Sequence, residues 1–103
     1  MKRFQLSRAA QIDLESIGQY LAETAGAEQA VEVLDRIRVE FLKLAEMPGI
    51  GHYREDLLDQ RYRFWRVYSY LIVYRWETDP IRIIAVVHGA RNLIAFFSRR
   101  RER

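Results

Sequence analysis

The stretch Tyr70–Asn92, YLIVYRWETDPIRIIAVVHGARN, limits the possible folds more than any other part of the chain. Tyr70–Trp76 is dense in β-branched and aromatic residues, which pack well on a pleated, half-buried surface. Glu77-Thr78-Asp79-Pro80 supplies turn residues, and Ile81–His88 is a second apolar run that Gly89 breaks. The pattern predicts a β-hairpin leading straight into a glycine turn and a basic residue. Arg75, Arg82, His88 and Arg91 are the polar groups left inside this apolar block, so a function would draw on them first.

Upstream, the hydrophobic period changes from strand-like to helical. Lys2–Leu6 is a short strand candidate, and Ser7 is placed to cap a helix. Ala10, Leu14, Ile17 and Leu21 then recur at helical spacing, with Tyr20 beside them. Gly26 is a natural stop. A second amphipathic helix runs over Glu28–Met47, with Ala30, Leu34, Ile37, Phe41 and Leu44 on one face, and Pro48-Gly49 ends it. The short link Ala25–Glu28 implies an antiparallel helical hairpin. Ile50–Gln60 reads as a polar loop, Tyr62–Val67 as a strand, Ser69 as part of a tight turn, and Arg91–Phe97 as a short terminal helix. The fold class is therefore α+β: an N-terminal strand, a helical hairpin packed on a mostly antiparallel sheet, and a short C-terminal helix. Residues 1–98 form one domain, and 99–103 a basic, frayed tail.

A chain of 103 residues, half of them hydrophobic, suits one core. Cysteine is absent, which removes disulfides, thiolate catalysis and Cys-ligated zinc. No apolar run approaches the roughly 20 residues of a membrane helix, and Met1-Lys2-Arg3-Phe4 has no apolar signal core behind it. The expectation is a cytoplasmic protein with no membrane partner. Net charge is +3, distributed as −2 over residues 1–51 and +5 over residues 52–103. Fifteen of the seventeen basic residues are Arg, the side chain suited to bidentate contact with carboxylates and phosphates. The C-terminal half is thus the expected recognition surface, unless these arginines merely solvate it.

Seven of the thirteen aromatics lie between Tyr62 and Trp76, interleaved with or flanked by Arg61, Arg63, Arg66 and Arg75. Such a mixture can stack on bases and hold phosphates, although β-propensity and burial alone also enrich strands in aromatics. His88 carries an imidazole, the side chain best suited to proton transfer near neutral pH; at a strand end it equally serves to bond a turn. No acid or serine stands at a spacing that points to a triad. His52 and His88, 36 residues apart, form no metal pattern, and no cofactor motif is present.

These segments together resemble the ParE-type toxins of the RelE/ParE toxin–antitoxin superfamily. LSRAAQIDLESIGQYLAE is similar to that family's first helix, LAEMPGIGHYREDL to the end of its second helix and the following loop, and YLIVYRW with IAVVHGARN to its C-terminal half. The likeness covers about Phe4 to Phe97. It implies a growth-arresting toxin, neutralised in a complex with a cognate antitoxin. RelE-like members cut mRNA on the ribosome, whereas ParE-like members bind DNA gyrase without recognised catalytic groups. The segment after His88 has no Tyr, and Lys2 and Lys43 are the chain's only lysines. The gyrase-binding class therefore fits better, with nucleic acid met only through that target. Candidate target-binding residues are Arg66, Arg75, Arg82, His88 and Arg91. The nuclease alternative would rest on His88, Arg66 and Arg75. Strand alternation means these residues cannot all face one way, and the expectation is that Arg75 and Arg82 lie on a different face from His88.

Overall fold

A computed structural model describes residues 3–101. Lys2 of the expected first strand, and Glu102 and Arg103 of the expected tail, lie outside the described residues. The chain runs β1 (Phe4–Leu6), α1 (Arg8–Ala25), α2 (Ala27–Glu46), a short 3-10 turn (Pro48–Ile50), β2 (Tyr62–Val67), β3 (Tyr70–Arg75), β4 (Ile81–His88) and α3 (Leu93–Arg101). Ser7 caps α1: its Oγ accepts from the Ala10 N–H at 3.0 Å and donates to the Ile84 carbonyl at 3.0 Å. One residue, Gly26, joins the helices, because its φ of 96° reverses the chain at once. The link is thus shorter than the expected Ala25–Glu28. A side chain begun at Gly18 would stand 3.0 Å from Leu34 Cδ1, so the missing Cβ lets the two helices approach closely.

The four strands lie in the order β1-β4-β3-β2. β1 pairs with β4 in parallel, and the other pairings are antiparallel. The helical hairpin covers one face, where Ile37, Phe41 and Leu44 pack against Ile72, Tyr74 and Ile83. The opposite face is also covered. Leu57 and Leu58, from the supposedly polar loop, and Phe96 and Phe97, from α3, bury Phe64, Leu71, Val73, Ala85 and Val87. β3 is therefore apolar along most of its length because it is buried on both sides.

α3 runs to Arg101 rather than ending at Phe97 in a basic tail. The reason lies in α1. Arg100 Nη2 contacts Asp13 Oδ1 at 2.7 Å, and its Nη1 donates to the Ile84 carbonyl at 3.2 Å. Asp13 Oδ2 accepts from the Val86 N–H at 3.0 Å. β1 pairs with β4 only as far as Ile83, so Ser7, Asp13 and Arg100 satisfy the groups that β1 leaves open. The register slips at this point. Val73 opposes Ala85, while Tyr74 opposes Ile83, which makes Ile84 the extra residue of a β-bulge. Ile81, Ile83, Val86 and His88 consequently face the hairpin, and Arg82, Ala85 and Val87 face α3.

Tyr74 fixes the loop that follows α2. Its hydroxyl donates to the Pro48 carbonyl at 2.7 Å and accepts from the Gly51 N–H at 3.0 Å. A Cβ on Gly51 would collide with that hydroxyl. Burial pushes the Tyr74 phenol above its ordinary value, against the opposing pull of the Gly51 N–H and Arg63. Burial raises Tyr70 as well, helped by Tyr20. A raised phenol keeps its full stabilising effect below the unfolded value near 10, and loses it as pH rises through the folded value. The denaturation midpoint should therefore hold steady up to about pH 10 and fall as pH rises from there toward the folded value. Tyr74→Phe should lower stability by about 1–3 kcal/mol near neutrality, since two backbone groups lose their partner, and should flatten the alkaline fall. An unchanged alkaline slope would count against this assignment.

Candidate functional site

The β2–β3 turn and the end of β4 meet at one edge of the sheet. Tyr68 forms that turn with φ 54°, a backbone conformation that side chains other than glycine rarely adopt. The Gly89 N–H donates to the Ser69 carbonyl at 2.7 Å and closes the edge. His88 stands opposite Tyr70, ring edge to face, with centroids 5.4 Å apart. Its Nδ1 accepts from the Ala90 N–H at 3.1 Å, and its carbonyl from the Arg91 N–H at 3.1 Å. The imidazole thus shapes a turn that carries Arg91 toward α3. Arg91 lies over the Phe96 ring at 4.7 Å, and Arg100 lies over the same ring at 4.5 Å.

Between this edge and the helical hairpin lies a groove of about 820 Å³. Tyr20, Tyr68, Tyr70, His88 and Arg91 line it, with Asp13 and Glu32 on the hairpin side. Tyr20 and Tyr68 are large apolar bodies left well exposed. A groove of this kind can seat an apolar or aromatic segment and orient it through a few polar groups. Among the described residues, no cluster of His, Asp and Glu is placed to hold a metal ion.

The five candidates divide into two groups. Arg66, His88 and Arg91 gather round Gly89, with the Arg66 guanidinium 3.6 Å from where a Gly89 side chain would begin. Arg75 and Arg82 face each other as cross-strand partners at the far end of the sheet. They lie on the α3 face, whereas His88 lies on the hairpin face. Tyr70 opposes His88 and Arg75 lies five positions farther along β3, about 17 Å. The structure therefore does not bring Arg75 to His88.

Arg63, one of the interleaved arginines but not among the candidate contacts, is held on both faces of its guanidinium. It lies between the rings of Tyr53 and Trp76, at 4.3 and 4.1 Å. It also donates to the Gly51 carbonyl at 2.8 Å and the Tyr53 hydroxyl at 3.1 Å. Interleaved Arg and aromatics were the available signal, but the partner Tyr53 comes from a separate loop. Close by, Trp65 Nε1 donates to the buried Glu40 at 2.7 Å, and Glu40 pairs with Arg36 at 3.3 Å. His52 stacks on Trp65, and its backbone bridges to Phe64 at the sheet's edge. Much of the Arg–aromatic pattern thus fastens the loop to β2.

Comparison with known proteins places these elements in a family. Residues 4–93 match the family model of the ParE toxin of the type II toxin–antitoxin system parDE. The chain is 34% identical over 92 residues to Toxin ParE1 of Caulobacter vibrioides, covering 89% of this chain and 94% of that one. It is 28% identical over 95 residues to Toxin ParE3 of the same organism, covering 92% and 94%. A solved structure described as the chromosomal ParDE TA system from P. aeruginosa shares the fold, with a TM-score of 0.70 at 19% identity over 85% of this chain and 96% of that one. A family match across the helical hairpin and the whole sheet leaves one conclusion: the chain belongs to the ParE toxin family of type II toxin–antitoxin systems.

Proposed function

We propose that this protein arrests growth in the cytoplasm by binding DNA gyrase, without covalent chemistry of its own, and that a cognate antitoxin neutralises it. The observation that carries the reading is the family match over residues 4–93, because toxins of this family are paired with antitoxins. The groove beside Tyr20, Tyr68 and His88 is the proposed seat of the antitoxin. Its exposed aromatic walls favour an antitoxin segment that is disordered alone and folds on contact, as a helix in the groove or a strand on a sheet edge. The non-enzymatic reading is supported by His88, whose Nδ1 bonds the Gly89 turn, and by the distance separating Arg75 from it.

Arg66, Arg75, Arg82, His88 and Arg91 remain the candidate target contacts, and their division predicts that only one group matters. Alanine variants of the true contacts should abolish growth arrest while the fold persists, and antitoxin binding should persist as well for Arg66, Arg75 and Arg82, which lie outside the groove. If all five variants stayed fully toxic, the target surface would lie elsewhere, on the helical hairpin for instance. The second reading, ribosome-dependent mRNA cleavage, draws on the tyrosines that the fold gathers around His88. Gyrase supercoiling and ribosome-bound mRNA should be assayed in parallel. The proposal expects DNA damage before any fall in translation. Cleavage within mRNA codons that vanishes with His88→Ala would replace it.

A further inference from the structure

At the far end of the sheet, Tyr62, Arg75, Arg82 and Gln5 form one row across all four strands. Like charges placed directly opposite each other destabilise an antiparallel pair. Among the described residues, neither Arg75 nor Arg82 makes an ion pair. Arg75 Nε is buried with no hydrogen-bond partner, a state it shares with Arg63 Nε, but Arg63 has its Gly51 and Tyr53 bonds while the Arg75 guanidinium has only the Tyr62 ring, 5.9 Å from its centre. A buried donor without an acceptor is unfavourable unless a ligand satisfies it. Opposed Cα atoms stand about 5 Å apart, so the two long side chains start close enough to converge on one tetrahedral oxyanion once the Arg75 guanidinium swings from the Tyr62 ring toward Arg82.

We propose that Arg75 and Arg82 form a phosphate-binding pair through which this protein contacts a nucleic-acid backbone directly. Phosphate is the group whose oxygens suit two converging guanidiniums. A repeating polyanion is favoured over a single carboxylate because the cations on this face extend beyond the pair. Arg66 lies on the same face toward the Gly89 end, and α3 adds the exposed Arg99. Two loop acids are offset by their own arginines, Asp56 by Arg54 at 2.9 Å and Asp59 by Arg61 at 2.7 Å, while Glu77 and Asp79 in the turn between β3 and β4 set the acidic limit of the patch.

The inference stands apart from the gyrase reading, since its test contains no gyrase. Binding of the full chain to a short labelled DNA duplex would be followed by fluorescence anisotropy as salt is raised. Arg82→Gln should weaken binding about tenfold at low salt and reduce the slope of log affinity against log salt by about one. Arg75→Gln should act in the same direction. Arg38→Gln, at an exposed position on α2, serves as the control for lost charge and should change affinity far less. Arg82 is exposed, so Arg82→Gln decides the matter even if Arg75→Gln unfolds. Affinity unaltered by Arg82→Gln, an equal loss with Arg38→Gln, or tighter binding of polyglutamate than of DNA would each overturn the proposal.

Discussion

Phe41→Ala is expected to destabilise the fold by about 3–5 kcal/mol, the usual range for emptying a large buried aromatic site. Phe41 is 2% exposed, and its ring meets that of Phe4 with centroids 5.2 Å apart. It sits where α2, β1 and the sheet converge, so the vacated space borders three elements and cannot close by moving a single side chain. A small domain has only about 5–15 kcal/mol of total stability, so the variant should lose a large part of its cooperative transition. Leu14→Ala offers the comparison. Leu14 is only half-buried, and its loss should be smaller, near 1–2 kcal/mol. Chemical denaturation of both variants tests the ranking. A loss below about 0.5 kcal/mol at Phe41 would sink the helical hairpin as the core of this fold.

Asp13→Ala should lower stability by about 2–4 kcal/mol, far beyond an ordinary surface ion pair. The Asp13 side chain is 11% exposed and serves two partners, the Val86 N–H and Arg100. Removing it leaves a backbone donor unpaired beside the bulge and releases the end of α3. Arg100→Ala should lose less, because Asp13 would keep its bond to Val86. A double-mutant cycle over Asp13 and Arg100 should return a clear coupling energy, and hydrogen exchange at Val86 should accelerate in Asp13→Ala. The effect should also reach the groove. Arg91 is braced on Phe96 of α3, so freeing that helix loosens the cation beside His88. Unchanged exchange at Val86 would show that the carboxylate does not hold the strand.

Local pattern specified much of this fold. Tyr62–Val67 and Ile81–His88 are strands at the limits their apolar runs define, and Ala10, Ile17, Ile37 and Phe41 are buried as their spacing requires. These features depend on neighbours a few residues away, which is what periodicity reports. The family likeness was legible for the same reason, being carried by contiguous segments whose order and spacing are preserved.

What only the tertiary structure decided lies in contacts between distant segments. Leu57 and Leu58 sit in a charged loop and carry no strand or helix period, yet they close the second core. Arg63 finds Tyr53 and Trp76 from two loops. α3 continues to Arg101 because Arg100 meets an aspartate 87 residues earlier. The candidate site turns on a single residue. Arg82 and His88 have the same parity along β4, so unbroken alternation would place both on one face. The bulge at Ile84 adds one residue and sends His88 to the hairpin groove, while Arg82 stays with Arg75 on the α3 face. No local signal marks that bulge; it sits where β1 ends and where Ser7, Asp13 and Arg100, from three other parts of the chain, take up the strand's open groups.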